Sequence, residues 1–258
     1  MKTKLLILSI AALCIFAGPA RADVWAPPGV QLQTVFDTRT LSPTAGDSSI
    51  DVTTDYIPDL LDSYWSNTGG GSVATIVVEL GDYENTNKFG IYDSQDEINF
   101  LQVFAGGNVA GHSRTIFVGD QGEIWLDTMY NPDFTLRTPD ADFASTVFGF
   151  YLDSTDAAGS NDGVWYSDTL LNSDNSDHMF SYQGQGDGFD MPSPVPNAVL
   201  GSSYYFLAWE DLNGNGADWN YTDMVVLIES VQPVPVPAAV LLGMLGLSLA
   251  GLKLRKFA

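Results

Sequence analysis

The sequence predicts an all-β fold, a single β-sandwich or jelly-roll-like domain, and three observations carry that prediction. Short runs of β-branched and aromatic residues recur through the middle of the 258-residue chain. Gly, Asn, Asp or Pro bounds nearly every run, as turns between antiparallel strands require. Only one stretch of the middle has a helical look, and no internal repeat stands out. The runs, in order, are VATIVVEL (73–80), KFGIYD (88–93), INFLQVF (98–104), RTIFVG (114–119), GEIWLD (122–127), TVFGFYL (146–152), SYYFLAW (203–209) and MVVLIESV (224–231). Turn signals recur between most of these runs, as in a sandwich or jelly roll. The helical candidate is DYIPDLLDSYW (55–65), which Pro58 weakens. Pro192, Pro194 and Pro196 mark a stiff loop within the domain, and Gln232 to Pro237 marks its exit.

The ends differ from the middle. MKTKLLILSIAALCIFAGPARA opens with Lys2 and Lys4, continues through an apolar core and closes on Ala20-Arg21-Ala22. A charged start, a short hydrophobic stretch and a small-residue cleavage site make residues 1–22 a secretory signal peptide. Cleavage before Asp23 would remove Cys14, the chain's one cysteine. The expected domain, 23–232, then has neither disulfide nor thiol nucleophile, and its stability must come from its core and from bound ions.

The other end, residues 233–258, carries Val234-Pro235-Val236-Pro237, an uncharged stretch from Ala238 to Leu252, and the basic cluster Lys253, Arg255 and Lys256. As a helix that stretch is about 22 Å long, short of the ~30 Å hydrocarbon core. The basic cluster should stay cytoplasmic and leave the domain outside. A permanent single-span anchor is one reading. The three-part tail also resembles the PEP-CTERM sorting segment of exported proteins of Gram-negative bacteria, in its VPxP variant, which lacks the usual glutamate. That resemblance implies a hydrophobic sorting helix recognised and removed by an exosortase-type enzyme. The sorting signal would then comprise Val234, Pro235, Val236, Pro237, Lys253, Arg255 and Lys256.

Charge excludes one class of partner. All 32 acidic residues lie between the two ends, against four Lys and Arg there, so the expected domain carries a formal charge of −28. Such an excess repels phosphate backbones, and nucleic-acid binding is not expected. Bound cations would relieve the self-repulsion.

The most informative segment is WEDLNGNGADWNYTD (209–223), between the apolar runs YYFLA and MVVLI. Asp211, Asn213 and Asn215 alternate ahead of Gly216, as in the first half of a calcium loop, where alternate oxygens converge on one ion. The twelfth position is Thr222 rather than glutamate and the flanks read as strands, so this is not an EF-hand. A hairpin loop could still gather Asp211, Asn213, Asn215, Asp218, Asn220 and Asp223 around calcium, which takes six to eight oxygens. A solvated Asn-Gly turn is the plainer alternative.

Phe206 to Leu212, the glycine-rich spacer and Asp218-Trp219-Asn220-Tyr221-Thr222-Asp223 also resemble the DUF4114 domain, with Trp209 in place of a usual phenylalanine and Thr222 where asparagine is frequent. Phe89 to Asp93, Leu101 to Phe104 and Ser176 to His178 are similar to the same pattern. The resemblance implies a secreted β-rich module of surface and matrix proteins, calcium-linked and without a defined catalytic activity.

Other candidates are weaker. The acidic loop Asp153, Asp156, Asn161, Asp162 could help ligate an ion but reads as an exposed connection. Asp177-His178 could be a catalytic pair, but a single His beside an Asp is usually a hydrogen-bonded structural histidine, and with His112 the only other histidine, His-rich zinc sites are hard to build. Asn220-Tyr221-Thr222 fits a glycosylation sequon, which the bacterial-style tail discounts.

Three functions are thus expected in order. The first is a non-enzymatic exported protein of the cell envelope or extracellular matrix, structural or adhesive, meeting matrix polysaccharide or other matrix components and the membrane through its tail. The second is a calcium-assisted carbohydrate-binding module using Trp65, Trp125, Trp165 and Trp209. The third is a glycoside hydrolase using two carboxylates.

Overall fold

The computed structural model describes residues 29–69, 72–78, 86–126, 138–155, 163–214 and 216–235. The signal peptide, the hydrophobic stretch and the basic cluster lie outside these residues, as do Val236 and Pro237. Among the described residues no helix is long and apolar enough to cross a membrane.

The chain is mostly β-structure, as expected. In order it forms α1 (Val30–Arg39), β1 (Thr40–Ser42), α2 (Asp59–Asp62), β2 (Tyr64–Asn67), β3 (Ser72–Val78), β4 (Lys88–Asp93), β5 (Asp96–Phe104) and β6 (Ser113–Val118). There follow β7 (Glu123–Leu126), β8 (Ala141–Asp142), β9 (Val147–Asp153), β10 (Val164–Tyr166), a 3-10 turn (Thr169–Leu171) and β11 (Met179–Gln183). The last strands are β12 (Asp187–Phe189), β13 (Ala198–Leu200), β14 (Tyr204–Trp209), β15 (Met224–Glu229) and β16 (Val231–Val234).

Three antiparallel sheets result. A seven-stranded sheet runs β11-β14-β15-β3-β6-β7-β8, a six-stranded sheet runs β16-β2-β9-β4-β5 with β10 added beside β9, and a small sheet runs β1-β12-β13. Successive side chains of a strand point to opposite faces. In β14, Tyr205, Leu207 and Trp209 therefore join one core while Phe206 and Ala208 join another. The first core lies between the two large sheets, where Trp65 meets Tyr205 at 5.0 Å between ring centroids and Phe89 meets Trp209 at 6.2 Å. The second covers the opposite face of the seven-stranded sheet with α1 and the small sheet: Phe36 packs on Phe206 at 4.6 Å, and Phe189 on Phe206 at 5.1 Å. Burial on both faces explains why YYFLA and MVVLI are apolar without alternation.

Two elements correct the sequence reading. α1 was not anticipated; it offers only Leu32, Val35 and Phe36 to the core, and its Thr34 and Thr38 hydroxyls turn back onto the carbonyls of Val30 and Thr34. The 55–65 stretch is helical for just four residues, with Pro58 just ahead of the first turn, where a missing N–H costs nothing. It then becomes β2, which places Trp65 in the core. β16 carries paired backbone beyond Gln232, with Pro233 opposite Trp65 and Val234 opposite Tyr64. The first residue of the proline motif is thus part of a sheet, and Pro235 follows it, exposed.

Candidate metal centre

β14 and β15 pair in register from Tyr204↔Glu229 to Trp209↔Met224, so the oxygen-rich segment is the loop of an antiparallel hairpin. The Asp223 carboxylate closes its base by accepting the backbone N–H of Asp211 at 3.0 Å. Glu210 folds back and accepts two backbone N–H bonds, from Leu212 at 3.3 Å and from Trp219 at 2.8 Å. The loop enters the left-handed region at Trp219 (φ 55°) and Tyr221 (φ 57°), positions that cost aromatic residues strain of about 1–3 kcal/mol each. What holds them there is packing and hydrogen bonding: Tyr221 is fully buried and its hydroxyl donates to the Asp177 carbonyl at 2.9 Å.

The result is a buried carboxylate triad. Glu210, Asp211 and Asp223 are 1%, 2% and 7% exposed, and each offers an oxygen within 4.8 Å of the others. Burial is the largest cause that raises Glu210, to about 7, with the charges of Asp218 and Asp211 adding to it and the two backbone bonds opposing. Burial, then the charges of Asp211 and Glu210, push Asp223 up to about 9. Three anions cannot share this volume without protons or a cation.

Residues at the ends of β4, β9 and β10 hold the triad from the six-stranded sheet, and His178, just ahead of β11, holds it from its own sheet. The Asp211 carbonyl accepts the Trp165 indole N–H at 2.8 Å and the Ser154 hydroxyl at 2.7 Å. Asn87, fully buried just before β4, donates its amide to Asp211 Oδ2 at 2.8 Å. His178 stacks on Trp165, 3.9 Å between ring centroids and 7° from parallel. Its Nδ1 faces the Glu210 carbonyl at 3.0 Å and its Nε2 faces Asp174 Oδ2 at 3.1 Å. The ring thus faces a hydrogen-bond acceptor on each side. Burial works against the Asp174 charge, but the His178 and Ser176 hydrogen bonds outweigh it and leave the carboxyl below its ordinary value. Asp174 thus pairs with His178, and the Asp177 carboxylate accepts the Met179 N–H at 3.1 Å.

The structure differs from the six residues expected to gather. Asp211 and Asp223 stand together, joined by Glu210, which the alternating pattern did not select. Asp218 is exposed and lies outside the triad; its carboxylate accepts from Asn220 Nδ2 at 2.6 Å. Asn220 in turn accepts with Oδ1 from both the Thr222 N–H, at 2.8 Å, and the Thr222 hydroxyl, at 2.6 Å. These two side chains build the turn, and both lone pairs of the Asn220 oxygen are spent within its own loop. Asn213 is half-buried, and Asn215 lies outside the described residues. In the second acidic loop Asp153 pairs with Lys88 at 3.6 Å and caps Thr155, while residues 156–162 lie outside the described residues.

The four tryptophans proposed as sugar platforms are core residues: Trp65 and Trp209 are 0% exposed, Trp165 1% and Trp125 8%. They offer no open apolar face. No protein-family model matches the chain, and neither a curated protein nor a solved structure matches it.

Proposed function

We propose that this is an exported, non-catalytic protein of the bacterial cell envelope or extracellular matrix, structural or adhesive, whose two large sheets pack as a calcium-stabilised β-sandwich. The observation that carries the reading is the convergence of Glu210, Asp211 and Asp223 in a buried place with no Lys or Arg in their stretch of sequence. A hard cation with an appetite for oxygen is the chemical complement of such a triad. Calcium fits best, because its ligand oxygens lie 2.3–2.6 Å from the ion, so opposite ligands stand about 4.6–5.2 Å apart, and because its geometry is adaptable. Extracellular calcium is abundant enough to fill even a weak site.

Sorting by an exosortase-type enzyme is part of the proposal and rests on the tail's resemblance to the PEP-CTERM segment. Its test is intact-mass spectrometry of the protein recovered from its native cell surface. A C-terminus upstream of the basic cluster Lys253, Arg255 and Lys256 is expected. A chain ending at Ala258 would overturn sorting by transpeptidation and leave the permanent anchor. The calcium reading is tested by calorimetric titration of the exported domain with calcium, where one saturable site is expected and absence of heat and of thermal stabilisation would overturn it.

A further inference from the structure

Asn87 presents a problem that the protein's own hydrogen bonds do not solve. It is fully buried, its Nδ2 is fixed on Asp211, and its Oδ1 has no hydrogen-bond partner among the described residues. Leaving a buried carbonyl oxygen unpaired is costly, so most such groups in folded proteins are satisfied. Turning the amide over does not help, since it would set Oδ1 against the Asp211 carboxylate, acceptor against acceptor. Both heteroatoms branch from one carbon, so the bond that fixes Nδ2 keeps Oδ1 close to the Asp211 carboxylate.

Oδ1 is left without a hydrogen-bond partner among the described residues, near three carboxylates grouped closely enough to hold a metal ion. We infer that Asn87 Oδ1 is a fourth protein ligand, completing with Glu210, Asp211 and Asp223 a four-residue calcium site. This rests on the calcium reading above and adds two things to it. The first is chemical: a neutral amide oxygen suits calcium, whereas magnesium prefers to keep its waters around one or two carboxylates. The second is architectural. Asn87 immediately precedes β4 of the six-stranded sheet, while Glu210, Asp211 and Asp223 sit at the ends of β14 and β15 in the seven-stranded sheet. The ion is then a clasp between the sheets at one end of the domain, reinforcing the Trp165 and Ser154 bonds that already cross there.

The test uses the exported domain, stripped with EDTA, and the metal ions themselves as probes: calcium by calorimetry and terbium by luminescence excited through the tryptophans, of which Trp165 bonds to Asp211. Wild type should bind one ion. Asn87→Leu, which keeps bulk and removes the oxygen, should weaken calcium by about tenfold or more, since loss of even an outer-shell partner weakens metal sites 10–100-fold. Asn87→Asp, which keeps an oxygen at the same place, should bind calcium at least as tightly as wild type but melt lower in EDTA. Wild-type affinity in folded Asn87→Leu overturns the inference and leaves the calcium reading standing. No binding by wild type overturns both. Should Asn87→Leu fail to fold, Asn87→Asp decides: weakened calcium binding in that folded variant overturns the assignment.

Discussion

Asp62 shows how much a single carboxylate can weigh in this fold. It is 1% exposed and accepts the Ser181 hydroxyl at 2.6 Å. Burial first, then the charges of Asp177 and Asp59, hold its carboxyl well above the ordinary range, against the Ser181 bond. A raised folded-state value means that the folded protein binds more protons than the unfolded chain. Stability is therefore fullest below the unfolded pKa of about 3.9 and is lost as pH rises toward the folded value. Asp62→Asn can still accept from Ser181 and carries no charge. Scanning calorimetry in saturating calcium should show the variant melting higher than wild type at pH 8, by about 2–4 °C for each kcal/mol relieved, with a flatter decline from pH 5 to 8. Parallel profiles would show that Asp62 is not the cause. The same sign holds at the carboxylate triad. With Glu210 raised to about 7 and Asp223 to about 9, the triad holds protons at neutral pH without an ion, and a bound calcium would have to displace them. Calcium affinity should therefore rise between pH 5 and 8 in calorimetric titrations, with proton release that varies with buffer ionisation heat; a pH-independent affinity would contradict the triad as the binding site.

Among the elements, α1 is the one whose role is easiest to test. Phe36 is fully buried against Phe206 and Tyr182, the latter at 5.6 Å and nearly perpendicular. Phe36→Ala should cost about 3–5 kcal/mol in denaturant unfolding, as removal of a buried ring does. A loss below 1 kcal/mol would mean that the helix is not docked on the sheet. Gly149 makes a second case, because a Cβ there would run into the Tyr92 ring on the neighbouring strand. Gly149→Ala should destabilise by about 1–3 kcal/mol in the same measurement. The runs that became β4, β9, β14 and β15 announced strands because nearly every position in them is buried, whereas β5 and β6 did so by their β-branched and aromatic residues although much of each is exposed or half-buried. β10, β12 and β13 escaped because three residues between turns carry no period to detect. α1 escaped because three buried residues in ten, amid Thr and Val, leave a helical stripe too thin to stand out. At the metal centre, Asp211 and Asp223 were legible from the oxygen-rich loop itself. Glu210 was passed over because it falls outside the alternating spacing, and Asn87 because it reaches Asp211 across 124 positions of sequence, a distance that only topology closes.

For the molecule as a whole, electrostatics is the problem to be solved. Four Lys and Arg face 32 Asp and Glu between the two ends of the chain, and three of those acids are buried together. A bound divalent ion would relieve the most costly part of that repulsion and couple the two large sheets, provided that calcium belongs to the folded state. The direct measurement is the melting temperature of the domain 23–232 stripped with EDTA and then replenished with calcium, at fixed ionic strength and pH 7.5. With calcium at a hundredfold excess over Kd, binding adds about 2.7 kcal/mol, and the midpoint should rise by about 5–10 °C. Superimposable transitions in the two samples would contradict it.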